Sequence, residues 1–255
     1  MTRARREGTA AMFLRAVAFI GSICAVLLAF SRPAPVAASE EAYRTLSPSG
    51  AAPHPAVLIV PGCSGFAATN GANIYDERGA DLQAAGYLVV FVDYIGRRLQ
   101  NNCAHVSQSE VSSDILEAAK WTRDQVGVDA SRIFVIGWSY GAGGVLAALQ
   151  AMPAKSPITK AVMYYPVCRG ARRWSTAATG LMLLGAGDDV ASPALCAAVT
   201  KGVPAESLRV IAYPNARHGF DQRGMPEGTD QPAGTPVYNA AASDASWTTV
   251  REFLQ

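Results

Sequence analysis

Short apolar runs alternate with segments of helical periodicity along most of the chain. Apolar runs of about four to eight residues are typical of strands buried on both faces of a parallel sheet. Six such runs predict strands over residues 56–60, 87–94, 133–136, 160–165, 181–184 and 208–213. Apolar residues at helical spacing predict helices over residues 73–85, 107–126, 142–150, 192–199 and 240–254. In the second of these helices, Val111, Ile115 and Val126 mark the side expected to be buried.

This order of strands and helices suits right-handed βαβ crossovers. The predicted fold is therefore α/β: a single domain over residues 56–255, with a mostly parallel, doubly wound sheet flanked by helices. Residues 39–55 are rich in Ala, Ser and Pro and are expected to form an extended lead-in. The chain has 255 residues, half of them apolar, which is enough for one such domain.

The first 38 residues differ from the rest in charge and pattern. Five arginines against Glu7 alone give them a charge of +4, and the other 17 basic and 19 acidic residues sum to −2. An uncharged apolar run over residues 16–30 follows most of these arginines, and small residues end at Ala38 after Pro33 and Pro35. This pattern is typical of a secretory signal peptide over residues 1–38. We therefore expect an exported protein, periplasmic or secreted.

An uncleaved N-terminal anchor is the alternative interpretation. The apolar run has fifteen residues, which is shorter than the ~20 that a membrane span needs. If the signal is cleaved, no stable membrane association is expected.

Export permits disulfide bonds among the cysteines. Cys24 lies within the signal segment, which leaves four others that allow three pairings. We favour Cys63–Cys103 and Cys168–Cys196, because each partner follows a predicted strand at the same edge of the sheet. Four free thiols are the alternative.

A serine flanked by glycines follows the predicted strand over residues 133–136. The sequence Gly137-Trp138-Ser139-Tyr140-Gly141 has the G-x-S-x-G pattern, and a helix-compatible segment comes next. This strand–turn–helix context is that of a nucleophile elbow. Ser139 is then expected at positive φ, with the glycines leaving room for strand and helix to approach. A Gly/Ser-rich turn without chemistry is the alternative.

A serine nucleophile needs a base and a group that orients the base. Of the three histidines, His54 precedes the first strand and His105 lies in a polar loop, whereas His218 follows the last strand. We predict His218 as the base. Asp188 is the predicted orienting acid, with Asp189 as the alternative, and the order Ser–Asp–His is that of α/β-hydrolases.

Two backbone amides are expected to bind the oxyanion. One is that of Tyr140, directly after the nucleophile, and the other is that of Cys63 in the loop after the first predicted strand. Cys63 as the nucleophile is disfavoured, because no histidine partner is implied for it. Trp138 lies beside the nucleophile, where it lines an acyl pocket or packs against the elbow helix.

Three segments resemble the dienelactone hydrolase family: the elbow, residues 185–196 and residues 213–221. The resemblance covers most of residues 56–255. It implies an α/β-hydrolase fold without a large lid domain, which acts on lactones and small esters without a cofactor.

The sequence departs from this family's pattern at the nucleophile and in the oxyanion loop. Founding members use cysteine with a controlling glutamate, whereas this chain has Ser139 and Gly62. They hold a dicarboxylate lactone with two arginines. Arg97 matches the first of these arginines, and the nearest candidate for the second, Arg223, is offset by one position. We therefore predict a serine branch of the family with a broader esterase role.

The predicted partner is a small-molecule ester or lactone. A small serine exopeptidase and a non-catalytic exported binding protein are the alternatives. No glycine loop with dinucleotide or P-loop spacing is present, and no histidine pair has metal-ligand spacing. No basic patch with interleaved aromatic residues suggests nucleic-acid binding. No cofactor and no metal are therefore expected.

Overall fold

The computed structural model describes residues 42–255 except for residues 68, 153, 155 and 229. The predicted signal peptide, residues 1–38, lies outside the described residues.

Among the described residues, seven strands form one sheet at the centre of the fold. They are β1 Arg44–Leu46, β2 His54–Val60, β3 Leu88–Phe91, β4 Val128–Trp138, β5 Ile158–Tyr164, β6 Thr179–Gly185 and β7 Leu208–Tyr213. Their order is β1-β3-β2-β4-β5-β6-β7. Of these seven strands, β1 pairs antiparallel with β3, and the other neighbours are parallel. The predicted mostly parallel sheet is confirmed.

The strand β1 lies within residues 39–55, for which the sequence suggested only an extended lead-in. Arg44, Thr45 and Leu46 pair with residues 91, 90 and 89 of β3. A three-residue edge strand with one apolar residue carries no run that sequence periodicity detects.

In the described part of the chain, five helices pack against the two faces of the sheet. They are α1 Ile74–Ala84, α2 Gln108–Arg123, α3 Ser139–Ala151, α4 Ala197–Thr200 and α5 Ala240–Leu254. The Asn73 side chain caps α1, and Ser107 and Glu110 form a capping box at the start of α2. α2 ends three residues before its predicted end. Val126 is fully exposed, so its prediction as a buried helical position is wrong.

The hydrophobic core has two layers, one on each face of the sheet. Val111, Ile115 and Val145 of α2 and α3 belong to one layer. Leu82 of α1 and Trp247 of α5 belong to the other. This arrangement confirms the doubly wound architecture. Within the described part of the chain, no helix has the length and apolar character to cross a bilayer.

Candidate active site

The elbow places Ser139 at the junction of β4 and α3. Its φ is +50°, the strained conformation that the sequence pattern predicted. A methyl group on Gly141 would lie 2.1 Å from the Pro61 carbonyl oxygen, and one on Gly137 would lie 2.8 Å from Ala142 Cα. Both positions therefore exclude any side chain, because strand and helix approach each other so closely.

Ser139, His218 and Asp188 form one hydrogen-bonded chain. Ser139 Oγ lies 2.8 Å from His218 Nε2, and His218 Nδ1 lies 2.8 Å from Asp188 Oδ2. The other Asp188 oxygen accepts hydrogen bonds from the amides of Val190 and Ala191, at 2.9 and 2.8 Å. His218 and Asp188 are both buried. The carboxylate is thus held from one side and presented to the imidazole on the other.

Asp189, the alternative acid, faces away from His218. It accepts hydrogen bonds from the Gly234 amide at 2.8 Å and from Arg217 at 3.0 Å. These two donors, the Gly234 amide first, hold the pKa of the exposed Asp189 carboxyl below its usual value. The other histidines lie elsewhere: His54 begins β2, and His105 is exposed in a short 3-10 helix.

The loop after β2 lies directly against the serine. A methyl group on Gly62 would be 3.6 Å from Ser139 Cβ. Cys63 lines the same cleft as Ser139 and His218. Tyr140 occupies the first turn of α3, where backbone amides have no intrahelical acceptor. The two amides predicted for the oxyanion therefore belong to segments that flank Ser139.

Two disulfides lie next to the elements that carry the site. Cys63 pairs with Cys103 at an S–S distance of 2.04 Å, and Cys168 pairs with Cys196 at 2.07 Å. These are the two pairings that the sequence analysis favoured. The first bridge ties the loop after β2 to the loop before α2, and the second ties the loop after β5 to the segment that follows Asp188.

A cleft of about 240 Å³ opens above the serine. Its walls come from the loop after β2, from the start of α1 and from the segment after His218. Beside the serine and histidine, the lining includes Ile74, Tyr75, Val190, Gln222, Arg223, Met225 and Pro236. The site can thus accept a small, largely apolar group next to Ser139.

Trp138 and Arg97, both proposed from sequence as substrate-binding residues, do not line this cleft. Trp138 is fully buried, stacks on Tyr164 with ring centroids 5.3 Å apart, and donates from Nε1 to Asp221. Arg97 turns to α2, where it lies 3.0 Å from Glu117 and 3.6 Å from Asp114. Packing in the core fixes the Trp138 side chain, and the acidic residues on α2 attract the Arg97 side chain.

Arg223 lies one position away from the place of the family's second arginine, and its side chain does line the cleft. It is exposed and lies 3.9 Å from Glu77.

Sequence reasoning missed a buried acid behind the histidine. Asp221 is fully buried and accepts hydrogen bonds from Tyr165 Oη at 2.6 Å and Trp138 Nε1 at 2.7 Å. Burial raises the pKa of this carboxyl. The Tyr165 ring lies 4.6 Å from the His218 ring. The only sequence signal was that Asp221 belongs to the segment resembling the hydrolase family.

Comparison with known proteins places the chain among hydrolases. The sequence pattern of the dienelactone hydrolase family matches residues 41–255. No curated protein sequence is significantly similar to the chain.

Among the described residues, no group of three or more His, Cys, Asp or Glu side chains is arranged to hold a metal ion.

Solved structures share the fold at low sequence identity. A putative dienelactone hydrolase from Klebsiella pneumoniae has a TM-score of 0.63 and 17% identity, over 81% of this chain and 88% of that one. The dienelactone hydrolase-like promiscuous phosphotriesterase P91 from metagenomic libraries has a TM-score of 0.65 and 18% identity, over 83% of this chain and 96% of that one. Thermogutta terrifontis esterase 2, phosphorylated by paraoxon, has a TM-score of 0.58 and 15% identity, over 83% of this chain and 87% of that one.

Proposed function

The chain belongs to the dienelactone hydrolase family, and from this membership we propose that it is a serine hydrolase of small carboxylic esters or lactones. The observation that carries the proposal is the chain of two 2.8 Å hydrogen bonds from Ser139 through His218 to Asp188. Nucleophile, base and orienting acid are thus within hydrogen-bond reach of one another.

Acylation begins at Ser139 Oγ, which attacks the carbonyl carbon of the substrate while its proton passes to His218 Nε2. Asp188 accepts a hydrogen bond from the Nδ1–H of the neutral imidazole, and this tautomer leaves Nε2 free to act as the base. Collapse of the tetrahedral intermediate breaks the bond to the leaving oxygen, and that oxygen takes the proton from Nε2. An alcohol departs, or remains attached by its chain if the substrate is a lactone.

Deacylation repeats these steps with water. Water gives a proton to His218 Nε2 and its oxygen attacks the acyl carbon. The second intermediate expels Ser139 Oγ, which regains the proton, and the carboxylic acid leaves. The amides of Cys63 and Tyr140 donate to the oxyanion in both halves of the reaction.

The dimensions of the cleft favour small acyl groups. Its volume of about 240 Å³ is less than the ~300 Å³ at the lower end of sites for drug-sized ligands. We therefore expect acetate and butyrate esters to be better substrates than octanoate esters.

The two disulfides support export as part of the same proposal. Disulfides persist in oxidising compartments, and both bridges here join segments of the active site. The protein would then act in the periplasm or outside the cell.

The test is labelling of the full chain by a fluorophosphonate probe. Wild type should label, Ser139→Ala should not, and Ser113→Ala, which removes an exposed hydroxyl on α2, should label like wild type. An unlabelled wild type, or equal labelling of Ser139→Ala, would refute the serine-hydrolase proposal.

A substrate panel separates ester hydrolysis from peptide cleavage. p-Nitrophenyl acetate, butyrate and octanoate should be hydrolysed in descending order, and aminoacyl anilides should not be cleaved. Preferential cleavage of the anilides would favour the exopeptidase alternative. Because a structural neighbour is described as phosphorylated by paraoxon, we also expect paraoxon to inactivate this enzyme at Ser139.

A further inference from the structure

Tyr75 is held rigidly at the wall of the cleft. It is the second residue of α1 and is only 5% exposed. Its ring packs edge-on against Trp138 and Phe66, with centroids 5.3 and 5.4 Å away. The side chain nevertheless lines the cleft together with Ser139 and His218.

The Tyr75 hydroxyl uses only part of its hydrogen-bonding capacity. Its oxygen accepts a hydrogen bond from the Gly62 amide at 2.9 Å. A phenol can also donate one proton. Among the residues that the structure describes, none accepts a hydrogen bond from the Tyr75 hydroxyl. Because Tyr75 lines the cleft, this proton can be donated to a ligand bound there.

The hydroxyl and the serine border the same small space. A methyl group on Gly62 would lie 3.4 Å from Tyr75 Oη and 3.6 Å from Ser139 Cβ. Tyr75 Oη and Ser139 therefore border the same space above Gly62, which a carbonyl group bound at Ser139 would enter.

We propose that the Tyr75 hydroxyl is a third donor to the oxyanion, alongside the amides of Cys63 and Tyr140. The inference rests on the proposed serine-hydrolase function and adds a side chain to its transition-state machinery. Tyr75 would donate a hydrogen bond without transferring its proton, so no bond of the tyrosine breaks.

The surroundings of Tyr75 suit a donor. The Gly62 amide points its hydrogen at the phenol oxygen, which polarises the O–H bond and strengthens it as a donor. The same contact engages the Gly62 amide, so the oxyanion is left to the next amide along, that of Cys63. Burial raises the pKa of Tyr75, so the hydroxyl keeps its proton at working pH.

A second tyrosine provides a matched control. Tyr94 is fully buried and donates from Oη to the Gly62 carbonyl at 2.7 Å. Like Tyr75, Tyr94 forms a hydrogen bond with Gly62, but its side chain does not line the cleft. Removing either hydroxyl loosens Gly62, and only removal of the Tyr75 hydroxyl takes a donor from the cleft.

The experiment compares Tyr75→Phe with Tyr94→Phe in the full chain. Loss of one oxyanion donor typically lowers kcat by about 100-fold, and we expect a fall of that order in Tyr75→Phe. In Tyr94→Phe the Gly62 carbonyl keeps the Gly65 amide as a donor, and we expect kcat to fall by less than about fivefold. KM should change little in either variant. An equal fall of kcat in the two variants would show that Tyr75 only supports the loop, and it would overturn the proposal.

Affinity for a transition-state analogue distinguishes a hydrogen-bond donor to the oxyanion from a residue that only supports the loop. A trifluoromethyl ketone, which forms a tetrahedral adduct on Ser139, should bind Tyr75→Phe more weakly by the same factor as kcat falls. Inhibition by the carboxylic acid product should be unchanged. Unaltered affinity for the ketone would also overturn the proposal.

A structure of the wild-type phosphonate adduct tests the contact without any variant. The phosphoryl oxygen should lie within about 3.2 Å of Tyr75 Oη, and a separation beyond about 4 Å would contradict the inference. If wild type neither labels nor hydrolyses esters, the proposed function itself fails. If wild type is active and only these comparisons fail, the role of Tyr75 alone is wrong.

Discussion

Asp189 and Arg217 form an ion pair, with 3.0 Å between Asp189 Oδ2 and Arg217 Nη2. They are the chain neighbours of Asp188 and His218, which are joined by their own 2.8 Å contact. The loops after β6 and β7 are therefore connected twice, once through the proposed catalytic pair and once beside it. Arg217 also donates to the carbonyls of Gln231 and Pro232. The pair thus fastens residues 226–236, which end at the cleft-lining Pro236.

Arg217→Ala should release this loop while leaving the Asp188–His218 contact in place. We expect kcat/KM to fall by about tenfold, mainly through KM, because the cleft wall moves more than the reacting groups. Amide hydrogen exchange over residues 226–236 should become faster. Arg209→Ala, which removes an exposed charge on β7, is the control. Unchanged exchange in Arg217→Ala would contradict this role of the ion pair.

The same ion pair predicts a pH dependence. The pKa of Asp189 is lowered in the fold by the Gly234 amide and by Arg217. A lowered carboxyl pKa stabilises the fold at neutral pH, and this contribution is lost as pH falls through that pKa. Exchange over residues 226–236, corrected for intrinsic rates, should therefore accelerate in acid for wild type but not for Asp189→Asn. Parallel pH profiles for the two proteins would show that the pair does not hold the loop.

The two adjacent aspartates should differ sharply on substitution. Asp188→Asn should lower kcat by about 10⁴-fold, because the imidazole loses the partner that selects its tautomer. Asp189→Asn should lower kcat by less than about tenfold, because it touches only the loop. Steady-state kinetics with p-nitrophenyl acetate checks both values. A larger loss for Asp189→Asn would reassign the orienting acid.

The two disulfides should contribute similarly to stability but unequally to activity. They close loops with sequence separations of 40 and 28 residues, so each should add about 3.5–4 kcal/mol. The double variant Cys63→Ala/Cys103→Ala should also lose kcat, because Cys63 lies in the loop proposed to bind the oxyanion. Cys168→Ala/Cys196→Ala is its matched control. Equal kcat values for the two double variants, measured below their melting temperatures, would exclude a special role for the first bridge.

The buried Asp221 should tolerate asparagine better than alanine. Asp221→Ala leaves the Trp138 N–H and the Tyr165 O–H without an acceptor in the core, at a cost of about 2–4 kcal/mol. In Asp221→Asn, the amide oxygen can still accept from one of these two donors, so only one of them loses its acceptor. Urea denaturation of both variants measures the difference, and equal destabilisation by the two substitutions would argue against this pairing.

Asp221→Asn should also change the dependence of stability on pH. Burial raises the pKa of Asp221 in the fold. The stability that belongs to the protonated acid is therefore lost as pH rises through this raised pKa. Relative to wild type, Asp221→Asn should gain stability over that range, and a constant difference across pH would contradict the prediction.

Two glycines near the serine should respond differently to alanine. A methyl group on Gly141 meets the Pro61 carbonyl oxygen at 2.1 Å, so Gly141→Ala should fail to form the elbow and should melt at a much lower temperature. A methyl group on Gly62 meets Tyr75 Oη at 3.4 Å and Ser139 Cβ at 3.6 Å. Gly62→Ala should fold with little change in Tm but lose kcat/KM, because the methyl group fills the space that the carbonyl needs. Full activity in Gly62→Ala would place the substrate elsewhere.

Much of the fold could be predicted from local patterns. The six apolar runs correspond to β2–β7, because strands buried on both faces must be apolar throughout. β1 escaped prediction since a short edge strand has no such requirement. Val126 was misplaced because periodicity continued beyond the point where α2 ends, at Arg123.

The arrangement of the site was less accessible from sequence. The elbow and the order of Ser139, Asp188 and His218 were readable because each follows a strand. The directions of Trp138 and Arg97 were not, since neither depends on its immediate neighbours in the chain. Trp138 is turned inward by Asp221, 83 residues away, and Arg97 is turned aside by acids on α2.

By itself, the sequence determined the alternation of strands and helices and the strained turn at Ser139. These follow from burial and from the steric freedom of glycine, which act over a few residues. Only the tertiary structure decided that Asp188 rather than Asp189 faces His218, and that the Tyr75 hydroxyl borders Gly62 and Ser139. Side chains in loops take their direction from elements distant in the chain, and those contacts exist only once the sheet has assembled.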